Sequence, residues 1–378
     1  MVSLHAGDAF AQLWDELVPR LDGAQTIEDW TRSDAYTAAR SAVRSHCTVV
    51  DDEVGIDPTV LADPDPAHWL GLLAGLDTLF VLAAGGYPAV DPVVVALRRH
   101  YRGAGRFNHA LPGLVVPRRT ERGRDSVRAD TFDQTLNTIR VSADTVARCI
   151  WVRVDPLQDH SPGLVELTIG QVPLALAGDL RRRGVETAGG TAAYELGPEP
   201  GLLARIPAAA AAMAGVDLGI TAEATLDTTG LDAWRRTAAA DAATWVLAGT
   251  GPVELASAPG ASAPGSNQPL MDGSPVPVNR AVLLHGRSGT LIAVADKLRG
   301  YHISPGDLPT YGLPPDPRGR AEAIRAGTRV VIIDSSAGRF SILVCEDLDR
   351  LLEFGPVLKE TGVSHVLNPV VAPELQKW

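Results

Sequence analysis

The sequence predicts an α/β protein in which a helical N-terminal part precedes a layered domain with mixed sheets. Three observations predict this. Helical periodicity dominates the chain up to about residue 150, short β-rich runs alternate with helical runs from about Leu164, and glycine-bearing turns join neighbouring β runs as hairpins. The 378 residues, 45% of them hydrophobic, support one large domain or two ordinary ones with real cores, and exclude disorder as the dominant state.

The helical elements carry their own start and stop signals. In residues 7–21, Phe10, Leu13, Trp14, Leu17, Val18 and Leu21 fall on one helical face, with Asp8 placed to start it. Asp91 followed by Pro92 opens VVVALRRHYRG, whose last turn is basic and ends at glycine. Asp130 opens a further segment through Phe132, Leu136, Ile139, Val146 and Ile150, which predicts a long helix there. The apolar stretch 69–90 contains Asp77 and closes on two glycines and a proline, so it predicts a buried helix rather than a membrane span.

Beyond Leu164 the pattern changes. LVELTIGQV predicts a strand, RIPAAAAAMAGV a helix, LGITAE a short strand, LDAWRRTAAADAAT a helix and WVLAGT a strand. Residues 251–277 are rich in Gly, Pro, Ser and Ala and predict a surface loop. AVLLH and TLIAVAD flank Gly286-Arg287-Ser288-Gly289 as a hairpin, and RVVIID and FSILVC flank Ala337-Gly338 as another. The helix LDRLLEFGPVLKETG and the strand HVLNPVV follow.

Composition narrows the function. With 45 acidic against 34 basic side chains the formal charge is −11, which repels nucleic acid and anionic membrane surfaces alike. A small-molecule or protein partner is expected, with no nucleic acid and no membrane. Cys47, Cys149 and Cys345 are too few and too scattered for a disulfide framework or a zinc site, which fits a reducing cytoplasm. The N-terminus MVSLHAGDAF has neither the basic nor the apolar region of a secretion signal. The cluster Arg118, Arg119, Arg122, Arg124 and Arg128, diluted by Glu121 and Asp125, is expected to be a solvated loop.

Chemistry is concentrated at strand ends. Glu223 ends one β run, Lys297 another and Cys345 a third, which is how a layered sheet presents a site at one edge. Each has a plainer reading, Cys345 as a buried core thiol and the two charges as solvated strand ends. Together the three types suit one job: a thiol attacks a carbonyl or nitrile carbon, a carboxylate takes its proton, and an ammonium holds the negative oxygen of the tetrahedral intermediate. His302, five residues past Lys297, is a better pocket candidate than His365.

The order Glu223, Lys297, Cys345 resembles that of the carbon–nitrogen hydrolase (nitrilase) superfamily. VELTIGQVPL with Gln171 resembles that family's first strand, and DLGITAEATLD its glutamate strand, with Ala222 where a proline is usual. WVLAGT, Asn279 in VNRAVLL and DKLRGYHI resemble the stretch that delivers the lysine, and RFSILVCEDL the nucleophile strand. The triplet Cys-Glu-Asp and LPTYG are similar to the glutaminase branch attached to NAD synthetases.

The resemblance implies an α-β-β-α sandwich over residues 161–378, incomplete at its C-terminus, behind a helical extension over 1–160. It implies Glu223 as general base, Lys297 as oxyanion stabiliser, Cys345 as nucleophile and the N–H of Glu346 as a second oxyanion donor. A second pocket carboxylate, common in the family, has Asp316 or Glu322 as candidates. The implied activity is hydrolysis of a non-peptide linear amide, with neither metal nor organic cofactor. An acyltransferase or glutaminase using the same residues, and a non-catalytic binding scaffold, remain alternatives. Family members pair through the helix after the nucleophile, so a homodimer or larger homo-oligomer is expected, with LDRLLEFGPVLKETG at the interface.

Overall fold

A computed structural model describes the chain apart from residues 1–3, 22–23, 86–87, 105, 108–109, 119–135, 155–166, 173, 175–179, 187–190, 199, 242, 252, 254, 256–276, 336 and 371–378. Most of the expected loop 251–277, and Arg119, Arg122, Arg124 and Arg128, lie outside the described residues. The chain divides into two compact units, the first comprising Met1–Ala147, Leu157–Val165 and Val357–Ser364, and the second Arg148–Pro156, Glu166–Pro356 and His365–Trp378.

The first unit contains β1 (Leu4–His5), α1 (Ala6–Leu17), α2 (Ala24–Thr31), α3 (Asp34–His46), β2 (Cys47–Val50), β3 (Glu53–Ile56), α4 (Pro66–Ala84), α5 (Pro92–Ala104), β4 (Leu114–Pro117), β5 (Thr138–Val141) and α6 (Ala143–Ala147). Helix α1 starts at Ala6 without a side-chain cap. Asp8, expected to start it, is buried within the helix and accepts instead from the N–H groups of Ala110 and Leu111. Helices α3, α4 and α5 start where side chains satisfy free amide groups. Ser33 accepts from the N–H of Tyr36, Asp65 from that of Ala67 and Asp91 from that of Val93. The core gathers Phe10, Leu13 and Leu17 of α1 with Leu72, Leu76 and Phe80 of α4 and Leu97 and Tyr101 of α5. Helix α4 is long and apolar enough to cross a membrane by length and composition, yet 67% of its most apolar window is buried inside the protein. Gly71 and Gly75 let α3 approach it closely, since a Cβ there would strike the Tyr36 carbonyl or Val43.

Two expectations are corrected here. The N-terminal part is not purely helical: β1, β3 and β2 form an antiparallel sheet, and β4 pairs with β5. Nor does one helix run from Asp130 to Ile150. Leu136 is followed by β5, α6 and then a strand, because TIRV and CIWVR are β-branched and aromatic runs whose spacing only mimics a helical face.

The second unit contains β6 (Cys149–Arg153), β7 (Ile169–Val172), β8 (Leu180–Glu186), β9 (Ala192–Pro198), α7 (Ile206–Ala212), β10 (Leu218–Thr221), α8 (Thr228–Asp241), β11 (Trp245–Thr250), β12 (Arg280–His285), β13 (Leu291–Asp296), β14 (His302–Ile303), β15 (Arg320–Ala321), β16 (Val330–Ser335), β17 (Gly338–Ile342), α9 (Leu351–Glu360) and β18 (His365–Leu367). The C-terminal end of α9 falls within the first unit. A five-stranded sheet runs β13-β12-β11-β10-β7 and a four-stranded sheet β18-β17-β16-β6, both mixed. The β12–β13 and β16–β17 hairpins stand where the glycine turns predict them.

Alternation places the core. Leu218, Leu247, Leu283 and Ala295 of the first sheet meet Val331, Ile333, Phe340 and Ile342 of the second, while Val246, Val282 and Val294 pack on Ile206, Leu231 and Trp234 of α7 and α8. Helix, sheet and sheet are therefore stacked in that order. The β8–β9 hairpin, which the sequence reading leaves unassigned, lies against the segment after Lys297: Gly184 abuts Tyr311 and Leu313, and the Ala192 carbonyl accepts from the N–H of Ala323 at 2.8 Å.

Candidate active site

Strand directions bring the candidate residues together. β10 and β11 are parallel and β12 and β13 alternate, so β10, β11 and β13 end at one edge of the sheet. Glu223 follows β10 and Lys297 follows β13 at that edge, and Cys345 follows β17 of the facing sheet. Asn279 precedes β12, and its carbonyl accepts from the N–H of Lys297 at 2.8 Å.

The Lys297 side chain is fully buried between two carboxylates. Its Nζ lies 3.0 Å from Glu322 Oε2 and 3.4 Å from Glu223 Oε1. Burial opposes the ammonium, but Glu223, Glu322 and Cys345 outweigh it and hold its pKa above the ordinary lysine value. Glu223 Oε1 also accepts from Asn279 Nδ2 at 2.5 Å, and Glu322 Oε2 from the N–H of Tyr301 at 2.7 Å.

The Cys345 thiol is hydrogen-bonded to Glu223 and to the N–H of Glu346. Burial, the Glu223 charge and the hydrogen bond to Glu223 push its pKa up, whereas Lys297 and the Glu346 N–H pull the other way, so the resting sulfur carries its proton. Its backbone is left-handed, with φ of 51°, as is that of Ala224 beside Glu223, with φ of 55°. Non-glycine residues take this conformation at a cost, which surrounding contacts must offset. Asn368 supplies such contacts: Oδ1 accepts from the N–H of Cys345 and Nδ2 donates to its carbonyl, both at 3.1 Å.

Glu223, Lys297, Cys345 and the N–H of Glu346 are thus brought together. The second carboxylate on Lys297 is Glu322, whereas Asp316 accepts from the N–H of Arg318 at 2.9 Å and lies 4.0 Å from Arg320. His302 is exposed and its Nε2 sits 3.0 Å from the Arg318 carbonyl, within the β14–β15 hairpin. His365 is exposed and stacks on Phe340, and Gln171 is exposed on β7. Among the described residues, no group of three or more His, Cys, Asp or Glu side chains is placed to hold a metal ion. Asn368 was missed in the sequence, where Asn-Pro after a β run signals only a turn.

No protein-family model and no curated protein matches the chain. Among solved structures it is similar to a cysteine-to-alanine mutant of the Nesterenkonia AN1 amidase from the nitrilase superfamily, with 15% identity and a TM-score of 0.34 over 57% of this chain and 70% of that one. It is also similar to an amidase from Nesterenkonia sp., with 17% identity and a TM-score of 0.32 over 57% of this chain and 71% of that one.

Proposed function

We propose that the second unit is a carbon–nitrogen hydrolase domain of the nitrilase type, an α-β-β-α sandwich that cleaves a non-peptide linear amide through a thioester on Cys345. The observation that supports this most is the meeting of a thiol with a buried carboxylate and a buried ammonium at one sheet edge. Because the resting sulfur is protonated, Glu223 takes the thiol proton as Sγ bonds to the substrate carbonyl carbon. The resulting oxyanion is held by Lys297 and the N–H of Glu346.

As the intermediate collapses, the C–N bond breaks and the leaving nitrogen takes the proton from Glu223. Water then attacks the thioester while Glu223 accepts its proton, and return of that proton to sulfur releases the acid. Glu322 keeps Lys297 charged and aimed. Two copies pair through α9, where Leu352 is fully exposed.

The test is ammonia release from a panel of primary amides, glutamine included, by wild type and by Cys345→Ala, Glu223→Gln and Lys297→Gln. Losses of at least about 100-fold in each variant are expected. Ammonia release by Cys345→Ala at the wild-type rate would overturn the assignment. Adding hydroxylamine and measuring hydroxamate shows whether an amine competes with water for the thioester.

A further inference from the structure

The two catalytic strand ends belong to different sheets, and one buried side chain ties them to each other. Asp347 is completely buried, yet among the described residues no lysine or arginine forms an ion pair with it. Its carboxylate is met by main-chain N–H groups. Oδ2 accepts from Leu298 at 2.9 Å and from Val344 at 3.2 Å, and Oδ1 from Arg299 at 2.8 Å and from Leu298 at 3.1 Å. Leu298 and Arg299 directly follow Lys297, and Val344 directly precedes Cys345.

We infer that Asp347 is a positioning residue that clasps the lysine loop to the cysteine turn, so that Lys297 and Cys345 hold one separation. This deepens the proposed function and rests on it for the roles of those two residues. The geometry argues against simple loop stapling at either side. One oxygen bonds both segments at once, and both oxygens act as acceptors, so a side-chain amide of the same shape cannot replace the carboxylate. Either orientation of an asparagine would turn its NH2 toward an N–H group it must now oppose. A buried carboxylate is costly to desolvate, and three convergent amides stabilise it only while both segments stay in place.

The clasp fixes the ammonium that favours the thiolate form of Cys345 from the β13 side. Its loss should therefore reach the sulfur through Lys297. Iodoacetamide alkylation of Cys345 at pH 9, followed by mass spectrometry, reads the thiolate fraction. Asp347→Asn is expected to slow labelling roughly tenfold, Lys297→Gln to slow it by a similar factor, and the double variant to be no slower than either. Asp347→Glu should restore part of the rate. Labelling at the wild-type rate in Asp347→Asn while Lys297→Gln is slowed, or multiplied losses in the double variant, overturns the clasp.

Amide hydrogen exchange in the wild-type protein decides independently of any variant's folding. Leu298, Arg299 and Val344 should exchange through one shared opening, at rates agreeing within about twofold after correction for intrinsic chemistry. Separate openings overturn the clasp. If Lys297→Gln labels like wild type while the shared opening is observed, it is the proposed function that fails and the clasp that stands.

Discussion

At the scale of single residues, the site depends on charges that burial alone would extinguish. Asp347 shows the balance most clearly: burial pushes its carboxyl up to about 6, against the pull of the amides of Leu298, Val344 and Arg299 and of Lys297. The folded protein therefore holds this proton more tightly than the unfolded chain does. The stability it contributes is full below the unfolded value of 3.8 and is lost as pH rises through about 6. Urea unfolding at a series of pH values should show wild type losing about 2–3 kcal/mol over that window relative to Asp347→Asn, after subtraction of the change common to both. A flat difference would contradict it.

The residue scale also shows what could be read from sequence. Glu223, Lys297 and Cys345 were legible because ionisable groups at the ends of apolar β runs are out of place in a core. The choice between Asp316 and Glu322 was not. It is made by the β14–β15 pairing, where His302 opposes Ala321, so that Glu322 falls beside Tyr301 and reaches Lys297. The same hairpin carries His302 to the exposed Arg318 carbonyl. Sequence distance from the lysine carries none of this information.

At the scale of elements, alternation and turn chemistry specified the second unit well. LGIT, WVLAGT and the two glycine hairpins have the period and punctuation of strands, and they are strands. In the first unit the β runs are short and set among helices, so helical periodicity hides them. CTVVDDEVGI folds back through Asp51 and Asp52, with φ of 51° and 65°, a turn in which Asn-Gly is the familiar signal and Asp-Asp is not. Asp51→Gly should remove the left-handed penalty and stabilise the first unit by roughly 1 kcal/mol in thermal or urea unfolding. Destabilisation would mean that the Asp51 side chain contributes more than its backbone costs.

At the scale of the whole molecule, the chain does not divide at one point. Strand β6 lies with the second unit, pairing in parallel with β16, although it precedes the boundary near residue 160 that the sequence suggests. In the other direction, Val357–Ser364 belongs to the first unit. There Glu360 accepts from the N–H of Ser142 at 2.6 Å and from the Thr145 hydroxyl at 2.5 Å. Burial works against this carboxylate, but the bonds from Ser142 and Thr145 prevail and hold its pKa below the usual range. Its contribution is therefore present above the ordinary glutamate value and lost as pH falls through the lowered one. Glu360→Ala should cost about 1–3 kcal/mol near neutral pH, less in acid, by urea unfolding monitored in the first unit. No such crossing could be read from a linear pattern, because periodicity reports an element's faces and not its partners.

The central claim is that acid, ammonium and thiol share one site, and the pH dependence of Cys345 alkylation tests it most directly. Glu223 raises the thiol pKa and Lys297 lowers it, so the two variants should move the rate in opposite directions. At pH 9, Glu223→Gln should label Cys345 roughly tenfold faster than wild type and Lys297→Gln roughly tenfold slower, with Cys47 and Cys149 unaffected. Coincident profiles for all three proteins, or equal slow labelling of the three cysteines, would contradict the account.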